Sequence, residues 1–373
     1  MPLFLLIYFL IYGSLHWVFY LRLRVLLPAT LALRIGLMLG LALMVLLPIA
    51  THLLDARQFH VWAGLSAWIG FTWMGFIFLA FWVSLLSFCC QALWSLLGLE
   101  NETRQVLARL SAVLTIVLPL VLMLIGHMQS REIRLEEVRI QTDKLVRKTP
   151  EISIAFISDV HLGLLAGQER VKDMIRLFET IKPDLILCAG DLVDGKITGL
   201  DKAAAALRRV SPPLGKYAVT GNHEIYTGRE ASRRFLENCG FQVLEDQTVR
   251  IVPGLRLAGR AYTRKKLCSR DLPLLAPQSE PAFTILLRHA PDICPDSLGR
   301  FDLQLSGHTH HGQIFPFGLI LKAVYPYISG LHDLGRGSRI YVSRGTGTWG
   351  PQVRLLAPPE MTLIRLHSAP SQS

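Results

Sequence analysis

Two histidines separated by one threonine, His308 and His310, follow the alternating stretch Phe301–Leu305 within Leu305-Ser306-Gly307-His308-Thr309-His310-His311-Gly312-Gln313. A strand ending in a tight loop lets both imidazoles face one region, which alone is a moderate signal for metal binding. Four polar clusters precede it in order: Asp159-Val160-His161, Gly190-Asp191, Gly221-Asn222-His223-Glu224 and the lone His289. Each ends its own strand-like segment. Together they offer carboxylate and amide oxygens beside imidazole nitrogens. Such a mixed set suits Mn, Fe or Zn better than Mg or Ca, which prefer all-oxygen shells. The series reads as a binuclear site for divalent ions. A lone histidine after a strand is ordinarily a hydrogen-bonded loop residue, but the position of His289 in the ordered series favours ligation. Asp194 and Glu224 read as residues that orient ligands or cap backbone rather than as ligands.

For these clusters to meet, the strands that carry them must lie side by side. From Glu151 onward, strand-like runs at Ile152–Ser158, Asp184–Ala189 and Lys216–Thr220 alternate with helical spacing at Glu169–Ile181, Asp201–Val210 and Gly228–Asn238. This order predicts an α/β domain with a mostly parallel sheet and helices packed on it. In such sheets ligands gather beyond the carboxyl ends of the strands, where the five clusters fall. Further strands are predicted at Leu255–Gly259, Ala282–Leu287, Phe301–Leu305, Arg339–Val342 and Met361–Leu366.

The amino-terminal third differs in kind. Residues 1–130 contain no lysine and almost no acid, which concentrates there much of the 51% hydrophobic content of the 373-residue chain. Leu3–Leu21, Leu26–Ile49, Val61–Leu86 and Leu107–Ile125 each approach or exceed the ~20 apolar residues a spanning helix needs. They predict an all-α, multi-pass transmembrane bundle over residues 1–126. Trp17, Tyr20, Trp62 and Trp94 sit near the predicted ends, as interfacial aromatics do. No basic residue precedes the first stretch, which argues against a cleaved signal peptide. The only charge well inside a stretch is Arg34, close enough to an end to reach the interface. So few polar groups describe an anchor rather than a transport path. Residues 127–150 read as a linker, 151–367 as the catalytic domain and 368–373 as a disordered Ser/Pro tail.

Arg22, Arg24, Arg104 and Arg109 lie in or beside the first and third loops and favour a cytoplasmic place for them, which puts the catalytic domain on the far side of the cell membrane. Arg131 and Arg134 argue the reverse, but short loops carry this rule better than a long domain does. The six cysteines show no disulfide framework or metal-knuckle spacing, so they do not fix the compartment. The net charge of +11 is scattered over small clusters such as Arg147-Lys148, Arg208-Arg209, Arg233-Arg234 and Arg264-Lys265-Lys266. With no basic run interleaved with aromatics, the expected partner is a bilayer with acidic headgroups, and no specific nucleic acid is expected.

Residues 150–366 resemble the calcineurin-like metallophosphoesterase superfamily through D-x-H at 159–161, GD at 190–191, GNHE at 221–224, His289 and GHTH at 307–310. The ending Gly307–Gln313, GHTH-x-GQ, is similar to a branch with membrane-anchored phosphodiesterases and enzymes that cleave the pyrophosphate of nucleotide-linked acylated sugars. The resemblance implies two packed sheets flanked by helices. It also implies two divalent ions, one held by Asp159, His161 and His310, the other by Asn222, His289 and His308, with Asp191 bridging both. His223 matches the family's non-ligand histidine, which sits near the leaving group, where it could donate a proton to the departing oxygen. Paired ions ~3.5–4 Å apart activate water for in-line attack on phosphorus and neutralise the developing charge.

Two departures narrow the reading. His311-Gly312 stands where membrane-associated members commonly carry Gly-Gly, which bears on the local turn and on substrate fit. The protein-phosphatase branch binds phosphate through an arginine in the block after GD, and Gly190–Lys196 holds none. Phosphoproteins are therefore not the expected substrate. The expected function is hydrolysis of a phosphodiester or pyrophosphate bond, of a lipid-linked substrate such as a nucleotide-linked acylated sugar. A nuclease or cyclic-nucleotide phosphodiesterase is the alternative, and a catalytically silent scaffold is disfavoured by the complete donor set. Phe315, Phe317, Leu319, Ile320 and Tyr325 either form a lip for an acyl chain or pack as an ordinary loop.

Overall fold

The computed structural model describes residues 2–28, 30–98, 100–145, 151–195, 197–264, 268–277 and 280–368. Lys196, the cluster partners Lys265 and Lys266, Arg147-Lys148 and the tail from residue 369 lie outside the described residues. The chain divides into two compact units, one of Met1–Met128 with Gly350–Leu355, the other of Gln129–Trp349 with Leu356–Ser373.

The first unit is built from four helices, α1 (Pro2–Leu23), α2 (Leu31–Ala56), α3 (His60–Leu96) and α4 (Asn101–Arg131). All four are long and apolar enough to cross a membrane. Their outward faces carry exposed leucines such as Leu39, Leu86 and Leu124. The inward face of α3 is lined by small residues, among them Ala63, Ala67, Gly70 and Ala80. Small side chains let apolar helices approach closely where no hydrophobic force separates lipid from protein. At Gly70 an added Cβ would sit 3.2 Å from Leu47 Cβ. The interior is more polar than the sequence suggested. Trp73 Nε1 donates to His16 Nε2 at 2.8 Å. Arg22 falls in the last turn of α1, only 2% exposed, where it donates to Ser111 Oγ and lies over the Phe88 ring. A guanidinium at a helix end is placed there by a hydroxyl and an aromatic face, neither of which a hydropathy pattern reveals. The segment Gly350–Leu355 belongs to this unit, with the Arg354 amide donating to Gly126 O at 2.9 Å.

The second unit is the α/β domain. Its strands and helices run β1 (Arg134–Thr142), β2 (Glu151–Ile157), β3 (Leu162–Gly163), α5 (Gln168–Ile181), β4 (Leu185–Cys188), β5 (Val193–Asp194), α6 (Asp201–Arg209) and β6 (Lys216–Ala218). They continue as α7 (Asn222–Thr227), α8 (Arg229–Asn238), β7 (Gln242–Val243), β8 (Gln247–Val252), β9 (Leu255–Arg260), α9 (Asp271–Leu274) and β10 (Phe283–Arg288). The last are β11 (Leu303–Ser306), α10 (Phe317–Leu321), β12 (Gly330–Gly335), β13 (Ser338–Val342) and β14 (Glu360–Ser368). Two six-stranded sheets form in the orders β1-β14-β2-β4-β6-β7 and β12-β13-β11-β10-β9-β8, with β3 and β5 as a separate pair. This is the expected architecture of two packed sheets flanked by helices.

Alternation along β2 explains the layering. Ile154 and Phe156 join Leu185, Leu187, Leu257, Ile285, Leu287, Leu303 and Leu305 in a core shared by strands of both sheets. Ala155 and Ile157 point the other way, into a core with Val171, Met174 and Phe178 of α5 and Leu207 of α6. Because β2, β4 and β6 pair in parallel, as do β9, β10, β11 and β13, each parallel set opens its carboxyl ends in one direction.

Two expectations change. Residues 127–150, read as a linker, hold the end of α4 and the strand β1, which pairs in parallel with β14 from Arg134↔Glu360 to Thr142↔Ser368. The cysteines do include a pair: Cys268 and Cys294 form a disulfide with Cα atoms 5.4 Å apart, leaving Cys89, Cys90, Cys188 and Cys239 free. The two paired residues are 26 positions apart and belong to no spacing motif, so only the tertiary fold brings them together.

Candidate metal centre

Every candidate residue sits where a strand gives way to a loop. Asp159 and His161 follow β2, Asp191 follows β4, Asn222 and His223 open α7 after β6, His289 follows β10, and His308 and His310 follow β11. Five of them, Asp159, His161, Asp191, His308 and His310, have positive φ between 50° and 72°. Non-glycine residues adopt this left-handed region at a cost, and such outliers cluster where a site needs side chains aimed together. Close backbone approach does the rest. A Cβ on Gly307 would lie 2.1 Å from Asp159 Oδ2, and one on Gly221 would lie 2.1 Å from Asp191 Oδ1. Only glycine fits at either position.

The seven candidate ligands come together as two adjoining groups. In the first, His161 Nε2 and His310 Nε2 are 3.0 Å apart, and His310 Nε2 is 3.6 Å from Asp159 Oδ1. In the second, His289 Nε2 lies 2.9 Å from Asn222 Oδ1, 3.0 Å from His308 Nδ1 and 3.2 Å from Asp191 Oδ2. That same Asp191 oxygen is 3.9 Å from His161 Nε2, so it stands between the groups.

The donor chemistry fits cations. His289 Nδ1 donates to Ala189 O at 2.8 Å, which turns the Nε2 lone pair toward three other acceptor-capable atoms. One proton can satisfy only one of those contacts, whereas a divalent ion satisfies them together. Burial pushes His161 down to about 4, and burial together with the neighbouring His289 pushes His308 down to about 3, so both imidazoles are neutral and free to ligate at neutral pH. Burial also lifts the Asp159 carboxyl to about 6, with the charge of Asp191 adding to it. For His289 burial works against protonation, but the Asp191 carboxylate outweighs it and raises the ring to about 9. A divalent ion would take the place of that proton.

A surrounding layer fixes these loops. Glu224, fully buried, accepts from the amides of Gly221 at 2.7 Å, Asp191 at 2.8 Å, Leu192 at 2.8 Å and Val193 at 3.2 Å. Burial and the Asp191 charge push its carboxyl up to about 7, while four converging N–H groups occupy both oxygens as they would a carboxylate. It therefore ties the Asp191 loop to the start of α7. Asp194 Oδ1 accepts from His223 Nδ1 at 2.7 Å. Burial opposes protonation of His223, but this bond and the charge of Asp191 outweigh it, so the imidazole titrates above its ordinary value. Its ring meets His161 edge-on at 4.6 Å between centroids.

His311 is half-buried, and Ser329 Oγ lies 2.7 Å from its Nδ1. Its φ of 52° lies in the left-handed region, which glycine adopts without the strain a side chain meets there. Sequence reasoning missed an aromatic rim. Tyr226 and Trp349 approach the His223 ring at 5.4 and 5.9 Å, and Tyr262 approaches His289 at 5.7 Å. Tyr262, two residues beyond β9, shares the strand-end position of the ligands, and that signal could have found it.

The calcineurin-like phosphoesterase family profile matches residues 152–312. An uncharacterized metallophosphoesterase of Aquifex aeolicus is 38% identical over 247 residues, 65% of this chain and 94% of that protein. A transmembrane protein with metallophosphoesterase domain from Bos taurus is 30% identical over 73% of this chain and 66% of its own length. The similarly named protein of Danio rerio is 27% identical over 77% of this chain and 74% of its own length.

Proposed function

Because the chain belongs to the calcineurin-like phosphoesterase family, we propose that it is a membrane-anchored, multi-pass hydrolase that cleaves a phosphodiester or pyrophosphate bond at a binuclear centre. The observation that carries this reading is the position of Asp191 Oδ2, 3.2 Å from His289 Nε2 and 3.9 Å from His161 Nε2, between two groups of donors. Asp159, His161 and His310 would hold one ion, Asn222, His289 and His308 the other, and Asp191 both. Bound there, Mn, Fe or Zn would supply Lewis acidity toward water and toward the phosphoryl oxygens.

The chain's own residues do the remainder. Asp191 keeps its carboxylate charge because His289 holds it well below the usual carboxylate range despite burial. His223, with Nδ1 engaged by Asp194, holds the proton that the departing oxygen needs, on its other ring nitrogen. Glu224 keeps the loops of Asp191 and Asn222 at fixed separation by binding amides of both.

The anchor favours a substrate that resides in the membrane, a lipid-linked phosphate such as a nucleotide-linked acylated sugar. The Cys268–Cys294 disulfide favours an oxidising compartment for the domain, hence the extracytoplasmic side of the cell membrane. The test uses the full chain in lipid nanodiscs, reconstituted in turn with Mn, Fe and Zn. It is assayed on bis-p-nitrophenyl phosphate, p-nitrophenyl phosphate and a nucleotide-linked acylated sugar. Diester or anhydride cleavage that chelation abolishes and metal restores is expected. No hydrolysis with any metal would overturn the enzyme reading, and cleavage of the monoester alone would overturn the bond class.

A further inference from the structure

The chain leaves the ligand loop through a segment whose side chains face solvent instead of a core. Phe315, Phe317, Leu319, Ile320 and Val324 are all exposed, Leu319 by 61% and Val324 by 68%. Isolated exposed apolar residues are ordinary, but five within ten positions form a continuous patch, and such patches mark interaction surfaces. None of the five residues of α10 is buried.

The patch is held in place. Ile314 before it and Ile328 after it are buried. Thr309 Oγ1, inside the ligand loop, donates to Ile328 O at 2.8 Å. Gly318 of α10 lies so close to the ligand loop that an added Cβ would sit 2.9 Å from His311 O. Tyr325 meets the His308 ring at 5.6 Å. The exposed apolar face is therefore a fixed part of the rim of the metal centre.

We propose that Phe315–Val324 inserts into the headgroup layer of the bilayer and sets the mouth of the centre against the membrane surface. Three observations select the bilayer as its occupant. The connection from α4, ending at Arg131, to β1, starting at Arg134, leaves two residues, so the domain is joined by a short link to a helix apolar enough to span a bilayer. From Gln313 to Leu331 the sequence has no acid and one base, the exposed Lys322, which suits an interface with anionic headgroups. Finally, no residue of α10 is buried and Phe317, Leu319 and Ile320 are exposed, whereas a single acyl chain needs an enclosing slot. Insertion is independent of the reaction at the metals, so it can be tested without activity.

The experiment places a nitroxide on the full chain in nanodiscs of phosphatidylcholine and phosphatidylglycerol. Cys89 and Cys90 are replaced by alanine, which leaves Cys188 and Cys239 buried and the remaining two paired. Labels go on Leu319→Cys and Val324→Cys, with Lys172→Cys on the exposed side of α5 as reference. Labels at 319 and 324 should collide several-fold less often with a water-soluble nickel chelate than the label at 172, and more often with oxygen. Adding Ile320→Glu beside the label at 319 should return its chelate collisions toward the reference. Equal chelate access at all three positions would overturn insertion. So would protection accompanied by spin–spin broadening, which means a second copy of the chain, or protection that appears only with an added lipid-linked phosphate, which means a substrate contact.

Discussion

His223 is fastened to the candidate bridging carboxylate and to its own acid partner at once: its amide donates to Asp191 Oδ1 at 2.9 Å while its ring meets Asp194 at 2.7 Å. The histidine assigned to the leaving group is thus positioned by the same residue assigned to hold both ions. Its role is separable from ligation because the tie to Asp191 runs through backbone.

Replacing His223 by alanine should leave metal content unchanged while lowering kcat. Loss of a positioned acid costs about 10²- to 10⁴-fold when the leaving oxygen needs a proton. A p-nitrophenolate leaves without one, so bis-p-nitrophenyl phosphate should be affected far less than an alkyl diester. Metal analysis beside kcat for the two substrates checks this. An equal loss on both would assign His223 to positioning instead of proton transfer.

Asp191→Asn keeps the shape of the side chain and removes the charge shared by the two groups. The variant should bind fewer than two ions per chain and lose activity, and excess metal should restore little of it. Metal stoichiometry measured after gel filtration decides the matter. Full activity with two ions retained would show that the centre is not built around Asp191.

Much of this site was legible because strand ends are legible. Alternation in Ile154–Ile157 and the apolar run Leu185–Cys188 mark strands whose next polar residues are Asp159 and Asp191. What escaped has physical reasons. The strand β1 alternates half-buried Glu136 and Val138 with exposed Glu137 and Arg139 at a sheet edge, which in sequence looks like a linker. The helix α7 has six residues, too few to show a period, and begins at Asn222 itself. The left-handed backbone at Asp159, His161 and Asp191 carries no composition signal, since it is imposed by the surrounding loops. Arg22 reads as a loop charge until Ser111 and Phe88 are seen beside it.

Lys216 offers a test of the fold that is independent of metals. Its ammonium donates to Leu207 O and Cys239 O, both at 2.7 Å, where α6 and α8 end. Burial pushes this amine down to about 8 from 10.5. Between those values the unfolded chain keeps the proton and the folded chain releases it, so stability rises with pH across that window. Below it both states are protonated and the contribution is flat. Thermal midpoints of the full chain in detergent should therefore climb relative to Lys216→Met from pH 8 to 10.5, by on the order of a few degrees. Parallel curves would mean that the amine titrates normally.

The Cys268–Cys294 bond bears on the site and on the side of the membrane together. It joins the turn before α9 to the loop after β10, and between them Asp271 of α9 pairs with Arg288, the residue before His289. Arg260 donates to the same Asp271 oxygen at 3.2 Å, so the buried acid has two cations to hold. Protein purified from membranes and denatured without reductant should show four reactive thiols, Cys89, Cys90, Cys188 and Cys239, and six after reduction. Cys268→Ser should lower stability by about 2–4 kcal/mol. Because the bond braces the loop that follows His289, the variant should also bind metal more weakly in the His289 group than in the Asp159 group. Six thiols without reductant would place the domain in a reducing compartment, and Arg131 and Arg134 would then be read as the charges that orient the chain.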